Sequence, residues 1–147
     1  MRDRRKGYHS LRKHRFSRSN HCYHLVFNTK STLRPFECFE TARSFVRILK
    51  GHEEAGKAHT LAYCLMPDHV HWLVKLGDDE LSTLVKRVKS MSTLSMGVSV
   101  WQRGYYDHLI RGEESLVNVA RYIVRNPLAA GLVDSVGDYP HWDSVWL

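Results

Sequence analysis

The chain has 147 residues, enough for one compact domain and too few for two of ordinary size. Apolar residues make up 43% and charged residues 25%, shares that exclude wholesale disorder. Lys and Arg number 22 against 15 Asp and Glu, a formal net charge of +7. No apolar run approaches the ~18 residues that span a bilayer, and the first residues hold no apolar stretch of the kind a secretory signal needs.

In chain order, residues 1–19 are expected to form a basic arm and residues 20–147 a single domain. The arm carries Arg2, Arg4, Arg5, Lys6, Arg12, Lys13, Arg15 and Arg18 against Asp3 alone, so it holds the whole excess of +7. A basic arm on a neutral body suits a polyanion such as nucleic acid, with strong salt dependence; a solubilising tail has the same composition. Residues 21–27, rich in β-branched and aromatic types, predict a first strand. Over residues 39–54 the spacing of Phe45, Val46, Ile48 and Leu49 predicts an amphipathic helix stopped by Gly51 or Gly56. Residues 59–66 and 69–76 read as two strands of a hairpin, turned at Pro67-Asp68. Helical spacing returns over residues 80–96 and closes at Gly97, with Lys86, Arg87 and Lys89 off the apolar side. After a loop at 101–104, residues 105–110 form a fourth strand and 113–125 a third helix. That helix has acids in its first turn, Arg121 and Arg125 late, and Pro127 to stop it.

The order β-α-β-β-α-β, then α, predicts an α+β fold: a ferredoxin-like antiparallel sheet with an additional C-terminal helix. Right-handed crossovers place both middle helices on one face. Cys22, Cys38 and Cys64 form no C-x-x-C pair, so reduced thiols packed as small apolar side chains are expected, in a cytoplasmic protein.

His69-Val70-His71 falls on the third strand, where residues i and i+2 share a face. Two imidazoles then project side by side, at a spacing that grips one metal ion or simply decorates a half-exposed strand. Asp68 stands where it orients a ring or attracts the ion. Tyr122 and Asn126 lie four apart on the third helix and share a face, either as core aromatic and helix cap or as functional groups. Together these parts suffice to cut a phosphodiester: a cation neutralises charge on phosphate, and a tyrosine attacks phosphorus in line. The phosphotyrosine stores the bond energy, so a strand end rejoins without ATP. Tyr105 and Tyr106 are weaker nucleophile candidates, with no amide four residues on. His24 and His108 either reach the site or pack, and the four tryptophans read as packing rather than base platforms.

MPDHVHWLVKL resembles the HUH motif of single-tyrosine transposases. VWQRGYYDHLIR, ARYIVRNPLAAGLV and DYPHWDSVW resemble the REP-associated tyrosine transposases, over about residues 21–146. The resemblance implies a metal-dependent single-stranded DNA endonuclease and strand transferase, located with the bacterial nucleoid, that cuts palindromic hairpin DNA through a 5′-phosphotyrosine. In it, His69, His71 and Asn126 hold Mg²⁺ or Mn²⁺ and Tyr122 is the nucleophile. Arg4, Arg5, Lys6, Arg12, Lys13, Arg15, Lys86, Lys89, Arg121 and Arg125 are the expected DNA contacts. A monomer or a homodimer that exchanges tyrosine helices is expected. Two other readings compete: a domesticated protein that holds hairpin DNA or RNA without cutting it, and a replication or conjugation nickase.

Overall fold

The computed structural model describes residues 20–147; the basic arm, with Arg4, Arg5, Lys6, Arg12, Lys13 and Arg15, lies outside them. Strand β1 (Cys22–Asn28) leads through a 3-10 turn at Pro35–Glu37 into helix α1 (Phe39–Glu54). Strands β2 (Ala58–Met66) and β3 (His69–Leu76) form the expected hairpin about Pro67-Asp68. Helix α2 (Leu81–Met96), strand β4 (Tyr106–Ile110) and helix α3 (Glu113–Val124) follow. Gly51 sits inside α1; the chain leaves the helix at Gly56, which takes the left-handed φ of 74° that glycine tolerates. Gly97 closes α2 in the same way, with φ 75°.

All ladders are antiparallel, in the order β4-β1-β3-β2-β5. The first four strands have the order that two right-handed crossovers produce from β-α-β-β-α-β. The fifth, β5 (Trp142–Ser144), pairs with β2 and was not expected from the sequence. It has only three residues, too few to display an alternating pattern. Tyr139 Oη anchors the approach to it by donating to the Leu65 carbonyl at 2.6 Å.

The sheet is covered on both faces. On one, Leu25, Phe27, Val70, Trp72 and Val74 meet Phe45, Val46 and Leu49 of α1 and Leu84, Val85 and Val88 of α2. This is the larger core, and both middle helices share it as the crossover rule requires. Trp72 is fully buried there, its indole donating to Thr60 Oγ1 at 2.9 Å. Trp101 packs in the same core and donates to Ser92 Oγ at 2.8 Å, so its loop is held down rather than free. On the other face a smaller core joins Ala62, Cys64, Met66, Leu73 and Ile110 to Ala120 and Ile123 of α3.

The three thiols occupy unlike surroundings. Cys64 is fully buried as expected, and burial pushes its thiol up to about 12. Cys22 is half-buried, with burial again raising its pKa. Cys38 departs from the expectation: it is exposed before α1, and a hydrogen bond with the Thr41 side chain lowers its pKa. The thiolate is the reacting form. Ellman's reagent at pH 8 should therefore modify Cys38 first and Cys64 only after denaturation. A fast phase that survives Cys38→Ser would contradict this ordering.

Candidate functional site

The alternation of β3 sorts its side chains between the two faces. Val70 and Trp72 enter the larger core, so His69 and His71 must face α3. The neighbours on this second face follow from register: His71 stands opposite Val26 and Cys64, and His69 opposite Asn28 and Met66. Helix α3 packs on β2, β3 and β5, leaving the β1–β4 side of this face less covered. The result is a cleft of about 630 Å³ between the helix and the sheet. From the sheet it is lined by His24, Val26, Asn28, His69, His71 and Tyr106, and from the helix side by Asn118, Val119, Tyr122 and Asn126.

The geometry brings the four central expected residues together. The rings of His69 and His71 are 5.0 Å apart. Tyr122 stands edge-on over His71 with centroids 5.8 Å apart, and over His24 at 6.1 Å. The Tyr122 side chain is 59% exposed, so its phenol is open to a large substrate. All of this is contained in one chain; no exchanged helix is needed to complete the site.

Each imidazole is oriented from behind. His69 Nδ1 lies 2.8 Å from Asp68 Oδ1, the orienting role expected of that carboxylate. A carboxylate only accepts, so Nδ1 carries a proton, and in the neutral ring the lone pair is then on Nε2. His71 Nδ1 lies 3.0 Å from His24 Nε2, and both residues are buried. Burial, then the neighbouring His24 and His69, holds His71 down to about 3. Burial, then His108, holds His24 down to about 4. Both rings are neutral at pH 7, the form a metal ligand must take.

Asn126 owes its pose to the proline beside it. Pro127 has no N–H, so the Ile123 carbonyl loses its usual helical donor. Helix α3 ends at Val124 and a short helix, α4 (Asn126–Ala129), begins at once, where the sequence pattern predicts one helix to 125. The Asn126 side-chain amide donates to the Tyr122 carbonyl at 2.9 Å and the Ile123 carbonyl at 3.4 Å. Capping therefore consumes the nitrogen and leaves Oδ1 as the group available to a ligand. Two imidazole nitrogens and an amide oxygen form a donor set suited to a divalent cation on phosphate. Among the described residues no cluster of three His, Cys, Asp or Glu offers another metal site.

The other expected residues are placed as follows. Arg121, near the end of α3, and Arg125, just past it, are both exposed and lie four residues apart. Lys86 is exposed on α2, on the opposite face of the sheet from the cleft. Lys89 is held within the protein: its ammonium donates to the carbonyls of Gln102 and Gly104 and lies 5.6 Å over the Phe27 ring. It staples the 101–105 loop to α2. Tyr105 is in the larger core, away from the cleft, while Tyr106 lines it edge-on to His24. Asn28, Asn118 and the His24 contact carry no signal in the sequence, since isolated polar residues have no distinctive spacing. Among the described residues no helix is long and apolar enough to cross a membrane.

The site thus sets a tyrosine over a two-histidine strand, on a helix packed against a ferredoxin-like sheet. The chain belongs to the family described as Transposase IS200 like, which matches residues 17–126. It is 31% identical over 99 residues to a Haemophilus influenzae protein described as a candidate REP-associated tyrosine transposase, covering 56% of each chain. It is 32% identical over 82 residues to the REP-associated tyrosine transposase of Escherichia coli, covering 54% of this chain and 50% of that one. The chain thus spans about half the length of the curated relatives it matches. Its fold matches the solved structure of a REP-associated tyrosine transposase bound to a REP hairpin. The TM-score is 0.75 at 23% identity, over 87% of this chain and 79% of that one.

Two consequences can be measured. Replacing Asn126 by Asp keeps an oxygen but removes the capping N–H and sets a carboxylate against two carbonyls. Asn126→Asp should lose about 0.5–1.5 kcal/mol of stability, read as a lower urea midpoint; an unchanged midpoint would show that the two N–H bonds contribute nothing. The second concerns pH. With folded pKa values depressed below 6.5, His24 and His71 bind protons more readily in the unfolded chain. Their contribution to stability is complete above pH 6.5 and is lost as pH falls towards 4. Urea midpoints should drop between pH 7 and pH 4.5, and a level midpoint across that interval would contradict the neutral pair.

Proposed function

We propose that this protein is a metal-dependent single-stranded DNA endonuclease and strand transferase, cutting palindromic hairpin DNA through a 5′-phosphotyrosine. The observation that carries the reading is the placement of Tyr122 over His71, 5.8 Å between ring centroids, with Asn126 in the same cleft. Membership of the transposase family and the hairpin held by the structural neighbour support the substrate class.

His69 Nε2, His71 Nε2 and Asn126 Oδ1 are the groups that would hold Mg²⁺ or Mn²⁺. Such a cation withdraws charge from a non-bridging phosphate oxygen and so makes phosphorus more electrophilic. The Tyr122 oxygen attacks phosphorus, its proton passing to water at the open cleft mouth. The bond from phosphorus to the 3′ oxygen of the upstream strand breaks, and that oxygen leaves as a 3′-hydroxyl after taking up a proton. Tyr122 is then esterified to the 5′ phosphate of the downstream strand. Attack by another 3′-hydroxyl reverses these steps and joins new partners. Arg121 and Arg125, exposed and close to Tyr122 in the chain, would hold the flanking phosphates. The basic arm would add sequence-independent affinity.

The test uses hairpin oligonucleotides labelled at the 3′ end, which remains attached to the protein after cleavage. With Mn²⁺, the wild type should give a labelled adduct that survives a denaturing gel. Tyr122→Phe should reduce adduct formation by at least about a thousandfold while leaving hairpin binding within about threefold. An adduct at the wild-type rate in Tyr122→Phe would remove the tyrosine from its role. Hairpin binding without any adduct in the wild type would instead leave a protein that holds such DNA without cutting it.

A further inference from the structure

The contact between His24 and His71 joins β1 to β3 across the sheet, on the face that forms the cleft. The two rings approach edge to edge, with centroids 5.2 Å apart and 27° between their planes, and His24 Nε2 meets His71 Nδ1 at 3.0 Å. Between two neutral imidazoles one nitrogen donates and the other accepts. If His24 donates, His71 holds its own proton on Nε2 and has no lone pair to offer the cleft. If His71 donates from Nδ1, its Nε2 lone pair is free. A neutral histidine without a partner prefers the proton on Nε2, so a ligand of this kind has to be held in its less favoured tautomer. The hydrogen bond made by the other nitrogen does this.

We propose that His24 is a positioning residue for the metal site: it accepts the His71 Nδ1–H and so presets His71 with its Nε2 lone pair towards the cleft. Asp68 does the same for His69 at 2.8 Å, so each ligand has its own acceptor behind it. The difference lies in the acceptor. Asp68 is half-exposed and charged, whereas His24 is buried at 8% exposure and neutral. A carboxylate at the buried position would lack solvent, while an imidazole supplies the lone pair without a buried charge. His24 must then carry its own proton on Nδ1. The inference rests on the metal-site reading above, and on the geometry of a contact that the cutting chemistry itself does not employ.

The experiment combines a tautomer readout with a binding readout. Long-range proton–nitrogen NMR on the metal-free protein should find the His71 proton on Nδ1 in the wild type. His24→Phe keeps the ring volume and removes the acceptor; His24→Gln returns an amide oxygen near the Nε2 position. In His24→Phe the His71 proton should move to Nε2, and Mn²⁺ affinity measured by calorimetry should fall about 10–100-fold. His24→Gln should restore Nδ1 protonation and bring the affinity to within about threefold of wild type. A purely space-filling role would be served by Phe and not by Gln, the reverse order. A wild-type His71 protonated on Nε2, or Mn²⁺ binding unchanged in a folded His24→Phe, overturns the inference alone. Absence of Mn²⁺ binding in the wild type overturns the metal site and this inference with it. Should His24→Phe not fold, the wild-type tautomer and the Gln variant still decide.

Discussion

The register of β3 is the constraint on which the rest depends. It is the middle strand of five and is covered on both faces, so each of its residues is committed to one layer or the other. Trp72 and Val70 hold the choice. An aromatic side chain buries roughly 150–250 Å², which at about 25 cal/mol per Å² amounts to roughly 4–6 kcal/mol, as an upper bound. A slip of one residue would turn Trp72 towards the cleft and drive two imidazoles among Phe27 and Phe45 without partners. The penalty for unpaired buried polar groups would add to the lost burial. Hydrophobic packing on one face therefore places the polar ligands on the other, and the site inherits its precision from a core it does not touch.

How helix α3 is seated sets the height of the tyrosine. Its contact with the sheet is made through Ala120 and Ile123 against Ala62, Cys64 and Leu73. Small residues at Ala62, Cys64 and Ala120 let the helix approach closely, as the ring contacts of Tyr122 with His24 and His71 require. The helix does not blanket its face of the sheet. The β1–β4 side that it leaves less covered is where His24, Asn28 and Tyr106 line the open cleft. A broader apolar helix would raise stability and close the cleft.

The parts of this arrangement that repeat with a period were legible in the sequence, and the parts that depend on single contacts were not. The alternation of 69–76 located both histidines on one face, and the i, i+4 relation paired Tyr122 with Asn126 before any coordinates. Helical spacing places Lys89 on a face without saying what lies over that face, and it is the 101–105 loop that lies there. Strand β5 escaped because an edge strand of three residues is specified by its partner β2 and by the Tyr139 anchor rather than by its own pattern. His24 was visible as a histidine on a strand, and only the pairing of β1 with β3 reveals that it meets His71.

The same reasoning explains why Asn126 and Pro127 belong together. A proline alone would end the helix and leave the Ile123 carbonyl without a donor. An asparagine alone, in a continuous helix, would find those carbonyls already taken and its amide free to rotate. Side by side with the proline, the amide nitrogen donates chiefly to the Tyr122 carbonyl at 2.9 Å and more weakly, at 3.4 Å, to the Ile123 carbonyl that the proline leaves short of its helical donor, and this turns the amide oxygen elsewhere. The device parallels the histidines, where an acceptor behind each ring turns a lone pair forward. All three prospective ligands are thus oriented by the hydrogen bond each makes on its far side. On the function proposed above, little reorganisation would then remain on binding, which is what lets binding energy be realised in a transition state.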